Sequence, residues 1–325
     1  MLIYLASLSL LSACATPPPA SIDLEQALAT KVAITIPMSL TEKGLIVLKD
    51  VKVNGRSMDF VMDTGATQSA IFEGSLQRLD LDLTALNETL VHGMMESKEH
   101  RVVNLAKLEV GPVKFHVKPM VILDDREASF GSTTKYDGLI GMDILAGYQL
   151  YISPRLGELR LIPNRTEVFV PSAWQRVEMI ENPFLADNRD LHFIELRVDG
   201  RKTPAMLDTG SEFSAMNWSS ASFAQAKPIR KRLRKEWELQ GAVGTFDPTA
   251  KVIMDRIRSG QKFWEDRSFV IMDFKSLGVL GVEDEPFIIV GMNFFSEEEF
   301  FLDFQRNLLA IKPRRNVPRR ILRDR

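Results

Sequence analysis

The chain has 325 residues, 45% of them apolar and 26% charged, with a formal net charge of −2. This composition excludes a disordered or collagen-like polymer, and it lacks the overall basic excess that would point to nucleic acid as a partner. The one cysteine, Cys14, excludes an intrachain disulfide and a multi-cysteine metal site, while the length accommodates two ordinary domains.

Residues 1–13 form an apolar stretch too short to span a bilayer but suited to the hydrophobic region of a signal peptide. Residues 14–31 read as a tether, with Pro17, Pro18 and Pro19, followed by a lead-in. Within it, Ser21 to Thr30 has Leu24, Ala27 and Leu28 at helical spacing. This short helix is expected outside the core, and it is the candidate pro-segment if the protein is made as a zymogen. Leu11-Ser12-Ala13-Cys14 resembles the lipobox of bacterial lipoproteins. The resemblance implies that Cys14 is lipidated and becomes the first residue, anchoring the protein in a bacterial cell envelope. Ala15, standing where an aspartate would favour the inner membrane, implies the outer membrane, facing the periplasm.

From Val32 onward the pattern is of short strands: Ile34 to Ile36, Leu45 to Leu48, Val51 to Val53, then Asn54-Gly55 and an apolar run that ends at Asp63. Asn-Gly between apolar runs is a strong hairpin signal. The arrangement returns downstream. Asn54-Gly55-Arg56 matches Asp199-Gly200-Arg201, Asp63 matches Asp208, and Ser69-Ala70 matches Ser214-Ala215, all 145 residues apart. Further on, Leu139-Ile140-Gly141-Met142-Asp143 answers Ile289-Val290-Gly291-Met292-Asn293 at a spacing of 150. A repeat over this length implies two copies of one fold. The expected organisation is lobe 1 over 32–163, a connector over 164–175, lobe 2 over 176–313 and a basic tail over 314–325. Helical pattern is expected after each Asp-Thr-Gly, longest at Ala226 to Glu238, and again at Ile144 to Ala146 and Phe294 to Glu299.

Each copy places an acid at the end of a buried strand and then turns the chain through Thr-Gly. A buried acid is costly unless it is hydrogen-bonded or shares its charge with a partner, and the natural partner of Asp63 is Asp208. The motifs Met62-Asp63-Thr64-Gly65-Ala66 and Leu207-Asp208-Thr209-Gly210-Ser211, each followed by an apolar-apolar-glycine element (Ile140-Gly141, Val290-Gly291), resemble the aspartic protease family over about four fifths of the chain. The resemblance implies a mostly β fold of two homologous retropepsin- or pepsin-like β-barrel lobes with the active site between them. It also implies an aspartic endopeptidase that uses water activated between Asp63 and Asp208, without cofactor or covalent intermediate. Thr64 and Thr209 would tie the two loops together across the lobes, Gly65 and Gly210 would permit close approach, and Ile140, Gly141, Val290 and Gly291 would support the loops from behind. The lobes are more similar to retropepsin subunits carried in tandem than to halves of pepsin, so the site is expected within a monomer.

Ala66 and Ser211 make the two loops unequal. A Ser211 hydroxyl donating to Asp208 would favour its charged form, so Asp208 is expected to ionise more readily. The flap hairpins of the family have candidates at Gly93 and Met94 and at Gly241 and Gly244. His92, His100, His116 and His192 show no metal-ligand spacing, so no metal is expected, and Asp143 and Asn293 read as capping or structural residues. Basic residues at 227–235 and beyond Pro313 read as solvated faces or as contacts to anionic lipid. The alternative function is a non-catalytic envelope protein of this fold that binds peptides or a partner. A third arrangement, with lobes that do not face each other, would need a dimer to build its sites.

Overall fold

The computed structural model describes residues 21–79, 81, 87–92, 97–105, 107–115, 119–124, 136–184, 190–227, 239–240, 245–246, 249–274 and 284–314. The architecture is mostly β, in two lobes built on the same plan. In lobe 1 the strands Ile46–Val53 and Arg56–Met62 form the hairpin announced by Asn54-Gly55. Both turn residues take left-handed backbone, Asn54 at φ 49° and Gly55 at 84°, as the tight primed turns require. Lobe 2 repeats this with Phe193–Val198 and Arg201–Leu207, joined through Asp199 at 48° and Gly200 at 80°.

The two aspartate-bearing strands are then locked in the same way. Gly138–Ile140 inserts between Arg56–Met62, to which it is parallel, and Ala70–Phe72, to which it is antiparallel. Ile288–Val290 does the same between Arg201–Leu207 and Ser214–Met216. Such central strands are buried on both faces, which is why they read as continuous apolar runs rather than alternating ones. The short helix Met142–Leu145 and the 3-10 turn Met292–Phe294 follow them, slightly ahead of the places the pattern suggested. Helices Glu73–Leu76 and Trp218–Phe223 follow the Asp-Thr-Gly loops; residues 228–238, where the longest helix was expected, lie outside the described residues.

One six-stranded antiparallel sheet joins the lobes, in the order Ile34–Leu40, Glu158–Pro163, Tyr148–Ser153, Phe300–Asp303, Leu308–Ile311, Gln175–Ile180. At its centre Tyr151 pairs with Phe301, its own counterpart in the repeat, while Leu150 pairs with Leu302 and Ile152 with Phe300. That register is self-complementary, as a two-fold axis demands. The lobes therefore face each other within one chain.

Alternation along these strands sends Leu150, Ile152, Leu302, Leu309 and Ile311 into the main core and Tyr151, Ile162, Phe301 and Ala310 to the opposite side. The segment expected as a lead-in outside the core is core after all. Strand Ser21–Asp23 runs parallel to Glu167–Phe169, and helix Leu24–Ala29 is capped by Asp23, whose Oδ1 accepts the Glu25 N–H at 2.8 Å. Leu24 and Ala27 are fully buried against Tyr151, Val168, Trp174 and Phe301. The physical reason is that the sheet's outer face carries large apolar side chains that need a cover, and an i, i+3 apolar pair on a short helix supplies one. Lying there, the segment does not cover the aspartates.

Candidate active site

Asp63 and Asp208 stand at the ends of their strands, 6% and 7% exposed, and their carboxyls hydrogen-bond to each other. Their main-chain N–H groups donate to the carbonyls of Ile140 (2.9 Å) and Val290 (3.0 Å), so each acid hangs on the inserted strand of its own lobe. Between the lobes the threonines exchange four bonds. Thr64 Oγ1 donates to the Leu207 carbonyl at 2.9 Å and accepts the Thr209 N–H at 3.0 Å. Thr209 Oγ1 donates to the Met62 carbonyl at 2.9 Å and accepts the Thr64 N–H at 3.1 Å. All of these groups are buried, so losing one hydroxyl would leave a donor and an acceptor of the opposite lobe unpaired.

The glycines touch across the same seam. A Cβ on Gly65 would lie 2.6 Å from Asp208 Cγ, and one on Gly210 would lie 2.3 Å from Asp63 Cγ. Each lobe's glycine thus makes room for the other lobe's acid. Behind the loops, Met142 N–H donates to the Ala66 carbonyl (2.8 Å) and Met292 N–H to that of Ser211 (2.7 Å). Gly141 and Gly291 lie against the loops, where a Cβ would come within 2.7 Å of residue 68 and 2.2 Å of residue 213.

Sequence reading left the hydroxyls beneath this support without a role. Ser69 Oγ accepts the Gly141 N–H at 3.0 Å and donates to Asp143 Oδ1 at 2.7 Å; Ser214 Oγ accepts the Gly291 N–H at 3.0 Å and donates to Asn293 Oδ1 at 2.6 Å. The signal was present, since Ser69 and Ser214 fall at equivalent repeat positions. Asp143 and Asn293 are buttresses, in line with a structural reading. A further contact went unnoticed: Lys43 of lobe 1 reaches Glu212 of lobe 2 at 2.9 Å. Burial pushes the Glu212 carboxyl up, and Lys43 partly offsets this.

Burial raises both central carboxyls above the ordinary carboxylate range, Asp208 well above it, because the negative charge of Asp63 lies beside it. This reverses the expectation that Asp208 would ionise more readily. Ser211 Oγ donates to the Phe213 carbonyl at 2.7 Å. Asp63 Oδ1 accepts two loop N–H groups, Gly65 at 2.8 Å and Ala66 at 3.1 Å. On Asp208 the Gly210 N–H donates at 2.9 Å, while the Ser211 N–H is shared with the main-chain carbonyl of Asp208 at 3.3 Å. The loop N–H groups therefore solvate a charge on Asp63 better than one on Asp208.

The flap candidates Gly93, Met94, Gly241 and Gly244 lie outside the described residues, as does Cys14. The strands flanking them, Asn87–His92 with Ser97–Asn104 and Leu239–Gln240 with Thr245–Phe246, pair antiparallel. Among the described residues no group of three or more His, Cys, Asp or Glu side chains is placed to hold a metal ion. His100 is buried with Nδ1 3.0 Å from the Ile122 carbonyl, and His192 stacks on Phe304 with ring centroids 4.6 Å apart.

A family model described as aspartyl protease matches residues 49–144 and again 194–294, more than half of the chain. Each matched stretch contains one of the two aspartates and the glycine-bearing element that supports it. Among solved structures, the chain is similar to a retropepsin-like aspartic protease from Rickettsia conorii, with 20% identity and a TM-score of 0.29, over 40% of this chain and 90% of that one. No curated protein matches the chain.

Proposed function

Because the chain belongs to the aspartyl protease family, we propose that it is an aspartic endopeptidase whose catalytic pair is Asp63 and Asp208. The observation that supports this reading is the meeting of two buried, mutually hydrogen-bonded carboxyls, each abutted by the glycine of the opposite lobe. Two acids this close share one proton, and hydrolysis without a covalent nucleophile needs a base and an acid together. Asp63, ionised, removes a proton from a water held between the pair as the water oxygen attacks the scissile carbonyl carbon. Asp208 gives its proton to the carbonyl oxygen, forming a neutral gem-diol. Asp63 then passes its proton to the departing nitrogen as the C–N bond breaks, and the diol returns one to Asp208, which restores the starting state. The titration belongs to the pair, so activity rises through its lower macroscopic pKa and falls through its upper one.

Cleavage of a peptide library by the protein beside Asp63→Asn and Asp208→Asn tests the reading. Each variant is expected to lose about 10²–10⁴-fold in rate. Equal cleavage by all three proteins would remove the pair from the mechanism. We also propose that the active species is a monomer, a reading supported by both acids coming from one chain. We further propose that it acts from the outer membrane, facing the periplasm, held by a lipid on Cys14. Fatty-acid labelling that persists in Cys14→Ser would sink that placement.

A further inference from the structure

One line of paired residues crosses four strands at the same place in each lobe, and its charges differ between them. In lobe 1 it joins Ser57 on Arg56–Met62, Lys52 on Ile46–Val53, Glu109 on Leu108–Val110 and Lys114 on Val113–Phe115. Here opposite charges alternate. Glu109 meets Lys107 at 2.8 Å and Lys114 at 3.9 Å. Lys107, with Lys114 and Lys52, holds the Glu109 carboxyl below the ordinary carboxylate range.

In lobe 2 the line joins Lys202 on Arg201–Leu207, Arg197 on Phe193–Val198, Arg258 on Ala250–Ser259 and Phe263 on Lys262–Ile271. The alternate residues Leu196, Val198, Thr203 and Ile257 are buried, so the line lies on the outer face of its sheet. Arg197 has a cation opposite it on both sides, and like charges placed so are destabilising. One acid stands within reach: Glu195 bonds Lys202 at 2.7 Å and lies 3.6 Å from Arg197, with its side chain only 13% exposed. Lys202, Arg197 and Arg258 all reach solvent. Phe263 ends the row 53% exposed, its ring centroid 6.0 Å from the Arg258 guanidinium carbon. The next row is mixed, with Arg256 opposite Glu265. The cationic line is therefore one residue wide, and with its aromatic end about 14 Å long.

We infer that this row docks an acidic polypeptide segment, with Arg197, Arg258 and Lys202 pairing its carboxylates and Phe263 packing on its apolar atoms. A guanidinium offers a carboxylate two parallel N–H donors, and strands about 4.8 Å apart put two such forks within reach of one segment. Three cations are few for a nucleic acid, whose binding engages about six to ten phosphates, and few for a polybasic lipid contact of about four to eight. On a chain of net charge −2, a local cationic row gives an acidic partner a preferred side. Lys202 stands six residues before Asp208 on the strand that carries it, a separation of about 20 Å. The segment docked is therefore part of a substrate, an acidic stretch at least about six residues from the scissile bond. That last assignment rests on the catalytic reading of Asp63 and Asp208; the docking does not.

Fluorescence anisotropy with a labelled peptide Gly-Glu-Glu-Leu-Glu-Glu-Gly, beside the same peptide with Gln for every Glu, tests the docking. The Glu peptide is expected to bind in a salt-sensitive manner, and the Gln peptide far more weakly. Arg197→Gln combined with Arg258→Gln should weaken binding of the Glu peptide about fivefold or more, since each exposed ion pair strengthens it up to about fivefold. Lys52→Gln combined with Lys114→Gln removes as many charges from the lobe 1 line and should leave binding unchanged. Phe263→Ser should weaken it, whereas Phe169→Ser, at an exposed site elsewhere, should not. Equal binding of the two peptides, equal losses in the two double variants, or equal effects of the two phenylalanine changes would each overturn the proposal. So would attachment to phosphatidylglycerol vesicles or oligothymidylate that depends on Arg197 and Arg258 while the Glu peptide stays unbound. Asp63→Asn is expected to bind the Glu peptide as the parent does, so loss of docking and loss of proteolysis are read separately. For the substrate assignment, an acidic stretch placed six residues from the cleaved bond should lower KM in the parent and not in the Arg197, Arg258 double variant. Equal KM values in the two proteins, with peptide binding intact, would sink that assignment alone.

Discussion

The two lobes agree around the aspartates and part company a few residues away. Asp137 and Phe287 occupy the same place, each just before the inserted strand, and each main-chain carbonyl accepts from the equivalent residue of the neighbouring strand, Phe72 in one lobe and Asn217 in the other. In lobe 1 the side chain there is a charged hub: Asp137 accepts from the Asp59 N–H and Ser75 Oγ, both at 2.8 Å, and from Arg78. In lobe 2 it is an aromatic hub, with Phe287 ring centroids 5.4 Å from Phe184 and from Phe274, and 6.2 Å from Phe193. The contrast locates the constraint on the fold. Next to the paired aspartates the crossing bonds and the absence of a Cβ leave one solution; just before the inserted strand, packing or polar satisfaction serves equally well to hold it.

The largest effect is expected where the lobes are alike. Gly210→Ala places a methyl 2.3 Å from Asp63 Cγ, and Gly65→Ala places one 2.6 Å from Asp208 Cγ. A displacement of this order at reacting groups is expected to lower kcat/KM by about 10²-fold or more. Because each glycine disturbs the opposite lobe's acid, both variants should be similarly impaired, Gly210→Ala the more so. Steady-state cleavage assays in which only one variant loses activity would break the symmetry of the site.

At the hubs the lobes should separate. Phe287→Ala removes an aromatic side chain from a closed cluster and is expected to destabilise by about 3–5 kcal/mol at any pH. Asp137→Ala strands three donors and is expected to cost about 2–4 kcal/mol near neutrality. Burial pushes the Asp137 carboxyl up, but bonds from Arg78, Asp59 and Ser75 outweigh it and hold the group below the ordinary carboxylate range. A lowered carboxyl contributes stability above its unfolded-state pKa, about 3.9, and loses that contribution as the pH falls through its folded-state value. Denaturant melts across pH should therefore show the Asp137→Ala deficit shrinking in acid while the Phe287→Ala deficit persists. Parallel deficits would mean that the charged hub acts by packing alone.

Much of the frame was legible in the residues. Asn54-Gly55 and Asp199-Gly200 can form tight turns because both positions accept left-handed backbone, and apolar runs ending in Asp-Thr-Gly describe a strand that must stop. The threonine exchange followed from the family resemblance. What escaped depended on distance or on direction. The helix at Leu24–Ala29 looked peripheral because its partners Tyr151 and Phe301 lie far along the chain, and nothing local says that a sheet will need covering there. Asp137 and Phe287 carry equivalent backbone duties with unrelated side chains, so the repeat could be seen without its packing. The Ser211 hydroxyl was assigned by its nearness to Asp208, yet an acceptor two residues on, the Phe213 carbonyl, takes its proton.

That hydroxyl gives the smallest expected effect and the finest comparison of the lobes. Were Ser211 bonded to Asp208, Ser211→Ala would raise the upper macroscopic pKa of the pair and extend activity toward higher pH, because a hydrogen bond to a carboxylate favours its charged form. Likewise, a hydroxyl added by Ala66→Ser that reached Asp63 would lower the lower pKa and extend activity into acid. With Ser211 Oγ donating to Phe213, and with Ala66 at the equivalent loop position, neither variant is expected to move either limb of the kcat/KM profile measurably. A shift of the upper limb in Ser211→Ala would show that the hydroxyl turns to Asp208 once substrate is bound, and the difference between the loops would then belong to the chemistry rather than to local packing.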